Sequence, residues 1–192
     1  YRPKDPLQIF TKDNFLIQEF GEERRDFISI ENVPQKIINA ILAIEDRRFF
    51  EHPGIDFIGI VRAAVKNFTG QSREGASTIT MQVARNFFLS SEKTLKRKIN
   101  EILLSLKIEN KLSKEEILEL YINQIYLGQR SFGFSAAANT YFNKTLDNLN
   151  LAEIALLAGL PKAPSRYNPL SNPDLAIALS LIHISEPTRR IP

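Results

Sequence analysis

Two carboxylates stand in contrasting company in this 192-residue sequence. Glu45 follows the apolar run Ile37–Ile44 and opens the string Glu45-Asp46-Arg47-Arg48-Phe49-Phe50-Glu51-His52-Pro53-Gly54. An apolar neighbourhood raises a carboxyl's pKa toward the range of a general acid or base. Asp46 and Arg47 beside it can balance the local charge. The structural reading of the same string is a polar cap at a helix end with i,i+4 ion pairs. Glu101 lies three residues after Lys98 and four after Arg97, the spacings at which helical side chains meet. A carboxylate framed by two cations has a lowered pKa and stays ionised. Two carboxylates with opposed environments are the pattern expected when one acts as base and the other stabilises charge.

A third string, Gly75-Ala76-Ser77-Thr78-Ile79-Thr80-Met81-Gln82, opens a helix that contains Arg85 and Asn86. Free N–H groups and hydroxyls at a helix N-terminus suit an oxyanion or a sugar hydroxyl. The structural reading is N-capping by Ser77 or Thr78. Residues 62–98 carry eight basic residues (Arg62, Lys66, Arg73, Arg85, Lys93, Lys96, Arg97, Lys98) against Glu74 and Glu92, in a chain of net charge +3. Such a local excess is a candidate site for phosphate, pyrophosphate or acidic lipid, or else a solvated helix face.

Several chemistries are excluded. Cysteine is absent, so disulfides, thiolate clusters and a cysteine nucleophile are ruled out. Two histidines, His52 and His183, do not make an all-protein zinc site. Ser90-Ser91-Glu92-Lys93 matches S-x-x-K without the S-x-N and K-T-G partners that give it meaning. The phosphate loop, the dinucleotide fingerprint and H-E-x-x-H are missing. A net charge of +3 is weak for a nucleic-acid partner. An apolar fraction of 43% with 24% charged residues describes a folded globular domain. No apolar run reaches the about 18–20 residues that cross a bilayer. No signal peptide is visible, and Tyr1-Arg2-Pro3 reads as the interior of a longer protein, with room for a membrane anchor upstream.

The elements that must position these groups are mostly helical. Leu7–Phe10 and Phe15–Phe20 read as strands around the turn-like Lys12-Asp13-Asn14, and Phe27–Ile30 as a third strand. Pro34 suits a first helical turn, and Ile37, Ile38, Ile41, Leu42 and Ile44 recur at spacings of three and four. Residues 67–75 are a loop by composition. A helix is predicted over 91–111, with an apolar stripe of Leu95, Ile99, Ile102, Leu103 and Leu106 and, beside it, a strip of Arg97, Lys98, Glu101 and Ser105. Ser113 and Glu116 form a capping box for the next helix, whose apolar residues include Ile117, Leu118, Tyr121, Ile122 and Ile125. Gly128–Gly133 is a break. Ala136–Phe142 and Leu151–Leu160 are short helices, and Pro161, Pro164 and Pro169 make the next stretch extended.

Taken in order, EDRRFFEHPG (45–54), GASTITMQ (75–82), RKINE (97–101), KEEILELYINQIYLG (114–128), AAANTYF (136–142) and GLPKAPSRYNP (159–169) resemble the peptidoglycan glycosyltransferases of family 51, the N-terminal catalytic domain of class A penicillin-binding proteins. The resemblance covers about residues 5–178. Met81 stands where many members have Gln, a variant found in one branch. The resemblance implies a mainly α, lysozyme-like, two-lobed helical domain with a small N-terminal β element. Residues 1–33 would be the β segment after a membrane anchor, 34–178 the glycosyltransferase domain, and 179–192 an atypical, foreign-looking tail in which Pro187 stops any helix. The transpeptidase domain that follows in the family is absent from this stretch, so penicillin binding is not expected of it.

The implied activity is polymerisation of lipid II into β-1,4-linked glycan strands, with inversion and release of undecaprenyl pyrophosphate. Glu45 would be the base; Glu101 would assist or orient its cations. Arg85, Arg97 and Lys98 would hold the donor pyrophosphate, and Asp46, Phe49, His52, Thr78, Gln82 and Asn86 would line the site. The motifs fix no cofactor and leave the metal requirement open, with a divalent cation, Mg or Mn, as the candidate. Expected partners are lipid II, the growing strand, moenomycin-type inhibitors and the membrane surface. For the last, Phe49-Phe50, Phe57-Ile58, Phe68 and Phe87-Phe88-Leu89 are apolar residues close to cations. Loop 67–75 is a candidate flap. The implied location is the outer, periplasmic face of the bacterial inner membrane. The competing readings are a lysozyme-like peptidoglycan hydrolase, which has no pyrophosphate to hold, and a non-catalytic lipid- or glycan-binding module.

Overall fold

A computed structural model describes residues 7–20, 23–69, 77–88 and 94–185. The architecture is mainly helical, as expected, with a small β element at the N-terminal end. The chain divides into two compact units, one of residues 35–124 and one of residues 1–34 with 125–192.

The 35–124 unit holds five helices: α1 (Gln35–Glu45), α2 (Phe57–Phe68), α3 (Ile79–Phe88), α4 (Leu95–Glu109) and α5 (Lys114–Gln124). α1 starts directly after Pro34 and buries Ile37 and Ile41, one turn apart. α2 begins where the Asp56 side chain accepts from the Gly59 N–H, and Thr94 caps α4 by accepting from the Arg97 N–H. The predicted capping box closes the start of α5: the Ser113 N–H donates to Glu116 at 2.7 Å and the Glu116 N–H to Ser113 Oγ at 3.2 Å. α3 packs against both α4 and α5. The core runs through Ile79, Met81, Val83 and Ala84 of α3 and Ile117, Leu118 and Ile122 of α5.

α4 corrects the expected orientation of its faces. Leu95 is 86% exposed, and Ile99 and Leu103 are also exposed, whereas Glu101 and Ser105 are buried. The polar strip turns inward because its carboxylate is paired there with Lys98 and Arg97, which offsets part of the cost of burying charge. Loop 67–75 is corrected at its start, since Asn67 and Phe68 belong to α2; the proposed flap over 70–75 lies outside the described residues.

The other unit begins with the hairpin β1 (Leu7–Phe10) and β2 (Leu16–Phe20), paired antiparallel across a turn with Asn14 at φ 61°. The expected strand at Phe27–Ile30 does not form. A short strand β3 (Arg24–Arg25) instead pairs in parallel with β4 (Ser131–Phe132), and Ile30–Asn32 is a 3-10 turn. The tight return before β4 needs Gly128: its φ is +94°, and a Cβ there would stand 2.5 Å from the Tyr141 hydroxyl. α6 (Phe134–Phe142), α7 (Leu151–Gly159) and α8 (Pro173–Ser185) complete the unit. α7 is buried all round from Ile154 to Gly159 and packs on α6 and α8. Pro161 sits in a 3-10 turn, Leu160–Lys162, rather than in extended chain.

The start of α7 is fixed by a reciprocal cap. Asn150 Oδ1 accepts from the Glu153 N–H at 2.9 Å, and Glu153 Oε2 accepts from the Asn150 N–H at 2.8 Å. Partial burial pushes the Glu153 carboxyl up, but the Lys144 ammonium and the Asn150 N–H outweigh it and hold the group below the ordinary carboxylate range. That contribution is complete near neutral pH and fades as pH falls through the carboxylate range. Asn150→Ala removes the acceptor for the Glu153 N–H and is expected to cost about 1 kcal/mol. Urea unfolding at pH 7 reads this as a lower midpoint at unchanged slope.

Candidate active site

The site is built on the N-terminal half of α3. Glu45 ends α1, and its Oε2 accepts a 2.6 Å hydrogen bond from Gln82 Nε2. Lys98, on the first turn of α4, donates to Ser77 Oγ at 2.9 Å and lies 4.0 Å from Met81 Sδ. The carboxylate and the ammonium therefore reach consecutive residues of one helix, Gln82 and Met81. Arg85 stands one turn further along α3, half-buried, with Asn86 exposed beside it.

Glu101 organises the cations. It is 1% exposed; its Oε2 accepts from Lys98 Nζ at 2.8 Å, and its Oε1 lies 3.2 Å from Arg97 Nε, whose N–H does not point at the oxygen. Both pairings follow the three- and four-residue spacings of the sequence. Lys98 keeps 41% of its side chain exposed, so one carboxylate anchors an ammonium that still faces solvent. Two cations on one buried carboxylate leave a net positive charge for an anion.

The 45–54 string is locked from within and from two helices. Asp46 is buried and accepts from His52 Nε2 at 3.0 Å and from the Ile79 N–H at 3.1 Å. It thus caps the first turn of α3, where a carboxylate is favoured by the helix dipole. The Gly54 N–H donates to His52 Nδ1 at 3.1 Å, which assigns the proton to Nε2. Thr78 does what the capping reading proposed: its Oγ1 accepts from the Met81 N–H and donates to Gly54 O at 2.6 Å. Gly54 has φ +88°, and a Cβ would press on Glu109 Cγ at 3.0 Å and Ser105 O at 3.1 Å, so only glycine lets the loop lie against α4. Arg47, exposed, donates to Ala43 O and closes α1.

Three residues that sequence reasoning left without a role complete the frame. Lys114 Nζ donates to His52 O and to Glu109 Oε1, both at 2.7 Å, and lies 4.5 Å over the ring of Phe49. Thr80 Oγ1 donates to the same Glu109 oxygen at 2.6 Å. Phe49 is fully buried and serves as the apolar floor of the loop. The signal for Thr80 and Lys114 was their place inside the quoted strings 75–82 and 114–128; Glu109 lay in none of them, and its importance comes from the fold.

Among the described residues no group of three or more His, Cys, Asp or Glu could hold a metal ion together. Glu45 and Glu101 already accept from Gln82 and Lys98.

Buried on α5, Tyr121 has its hydroxyl raised well above the ordinary phenol range. Burial is the main cause, the Glu45 carboxylate adds to it, and Arg85 opposes it.

The transglycosylase sequence model matches residues 13–184. Penicillin-binding protein 1A of Neisseria gonorrhoeae is 58% identical over 177 residues, which is 92% of this chain and 22% of that protein. The protein of the same name from Escherichia coli K12 is 54% identical over 174 residues, 90% of this chain and 20% of that protein. The chain thus spans about a fifth of the length of these curated relatives. A crystal structure of penicillin-binding protein 1A from Haemophilus influenzae matches with a TM-score of 0.53 at 30% identity, covering 100% of this chain and 19% of that one.

Proposed function

This chain belongs to the transglycosylase family, and on that premise we propose that it is a peptidoglycan glycosyltransferase that joins lipid II units into β-1,4 glycan strands. The observation that carries the reading is the meeting of Glu45 and Lys98 on adjacent residues of α3: a proton acceptor beside a cation cluster.

The reaction needs both. Glu45 takes the proton of the acceptor sugar's 4-hydroxyl as that oxygen attacks the donor's anomeric carbon from the face opposite the leaving group. The bond to the pyrophosphate oxygen breaks, its electron pair departs with undecaprenyl pyrophosphate, and the configuration inverts. Charge grows on the pyrophosphate in the transition state, so fixed cations stabilise that state more than the bound substrate. Lys98 and Arg97, preset by Glu101, supply such cations, with Arg85 one turn further along α3. Arg contributes bidentate contact to phosphate oxygens. Glu101 is a positioning residue in this scheme, because its carboxylate is occupied and buried. Asp46, His52, Thr78 and Phe49 hold the loop that carries Glu45, and Gln82 orients its carboxylate. Asn86, exposed on the same helix, contacts substrate.

A lipid-linked substrate places the enzyme at a membrane, on the outer face of the bacterial inner membrane. No helix among the described residues is long and apolar enough to cross one. The exposed apolar faces of α2 and α4 support surface contact instead. Phe57, Val61, Val65 and Phe68 recur along α2, Phe68 at 94% exposure, and Leu95, Ile99 and Leu103 along α4. Arg62 and Lys66 are interspersed on α2 and Lys96 on α4; apolar side chains with flanking cations are suited to an anionic lipid interface. Exchanging Phe57 and Phe68 together for Ser is expected to weaken binding to anionic vesicles by at least about tenfold, with the circular dichroism spectrum unchanged. Equal vesicle binding would remove α2 from the membrane surface. Inhibitors of the moenomycin type would occupy the same site.

The test of the activity is incubation of this chain with labelled lipid II and, separately, with preformed peptidoglycan. Glycan strands from the first and no soluble fragments from the second are expected. Fragments without strands would make it a hydrolase.

A further inference from the structure

Tyr121 carries a buried hydroxyl that the fold does not use. The residue is 1% exposed, and among the described residues its oxygen has no hydrogen-bond partner. An unsatisfied buried hydroxyl is destabilising, because it has lost its water partners and gained none in return. Phenylalanine would fill the same space without that cost, so burial in the core accounts for the ring but not for the oxygen. Buried polar atoms without partners call for a reason outside the static fold.

The surroundings of the oxygen supply one. α5 packs on α3, the helix whose Gln82 holds the Glu45 carboxylate. The charges that act on the phenol are those of Glu45, from the end of α1, and Arg85, from α3. A hydroxyl is both donor and acceptor and rotates to suit. It can donate to a carboxylate before proton transfer and accept from the carboxylic acid afterwards. Gln82 offers Glu45 an N–H donor at Oε2 and nothing that follows the proton.

We propose that the Tyr121 hydroxyl is a positioning group for the base, engaging the Glu45 carboxylate from the α5 side during proton transfer. The inference rests on the assignment of Glu45 as the base. Tyr121 gains and loses no proton overall: the proton passes from the acceptor hydroxyl to Glu45, and the phenol only reverses the direction of its hydrogen bond.

The experiment compares the chain with Tyr121→Phe, using lipid II polymerisation over a range of substrate concentrations and thermal unfolding of both proteins. Tyr121→Phe should lower kcat about 10- to 100-fold, leave KM within about twofold, and keep or raise Tm because an unpaired polar atom is removed. A lower Tm would show that the hydroxyl serves the fold and would overturn the proposal. So would an unchanged kcat, or a loss confined to KM. Failure of the unaltered chain to make glycan would overturn the Glu45 assignment and this inference with it. An active chain with an equally active Tyr121→Phe variant would overturn this inference alone.

Discussion

Glu45→Gln is expected to make no measurable glycan from lipid II. The amide is the same size as the carboxylate, and its carbonyl oxygen can still accept the hydrogen bond that Gln82 donates to Glu45 Oε2 at 2.6 Å. The end of α1, the Asp46–His52 pair and the Lys98–Glu101 pair are left as they are. What disappears is the ability to accept a proton. A positioned general base contributes about 10²- to 10⁴-fold, so kcat is expected to fall by about 10³-fold or more. Stability should stay within about 0.5 kcal/mol, since Glu45 is only partly buried and its replacement keeps the shape. A variant that polymerises within tenfold of the unaltered chain would remove Glu45 from the proton transfer.

The second large effect belongs to Lys98→Met. Lys98 Nζ contacts Ser77 Oγ and Glu101 Oε2 at 2.9 and 2.8 Å. Removing it takes a cation from the proposed leaving-group site and leaves the buried Glu101 with Arg97 as its remaining cation, so the local potential swings toward negative. Loss of one preorganised charge stabiliser typically costs about 10²- to 10³-fold, and that is the expected fall in kcat/KM. Donor use should suffer more than acceptor use when a short glycan primer competes as acceptor, because only the donor carries pyrophosphate. Equal loss on both sides would count against the pyrophosphate role. Adding Glu101→Gln to Lys98→Met separates stability from chemistry. The double variant removes the buried carboxylate charge and should recover stability, while activity stays low because the cation is still missing.

Much of the frame was legible in short stretches of sequence. Helix starts were marked by Pro34 and by the Ser113–Glu116 box, and each appears where local chemistry put it. The Arg97–Glu101 and Lys98–Glu101 pairs follow from helical spacing alone. The strand expected at Phe27–Ile30 failed for a different kind of reason. A strand exists only if another strand offers its edge, and the available edge, Ser131–Phe132, pairs with Arg24 and Arg25. Apolar alternation in one segment carries no information about a partner more than a hundred residues away. The stripe on α4 failed because apolar periodicity identifies a face without saying what lies against it. Leu95, Ile99 and Leu103 turn outward, and Glu101 turns inward because Lys98 and Arg97 are paired with its carboxylate there.

From its order of residues alone this chain settles its helices, its ion-pair spacings and its family, because each depends on neighbours within a turn or two or on motifs in a set sequence. Only the tertiary structure decides that Gln82 holds Glu45 across 37 residues of chain, that Lys114 ties the 45–54 loop to Glu109, and that the Tyr121 oxygen is buried. Those contacts are set by how α1, α3, α4 and α5 pack, and packing is a property of several faces at once that no single segment encodes.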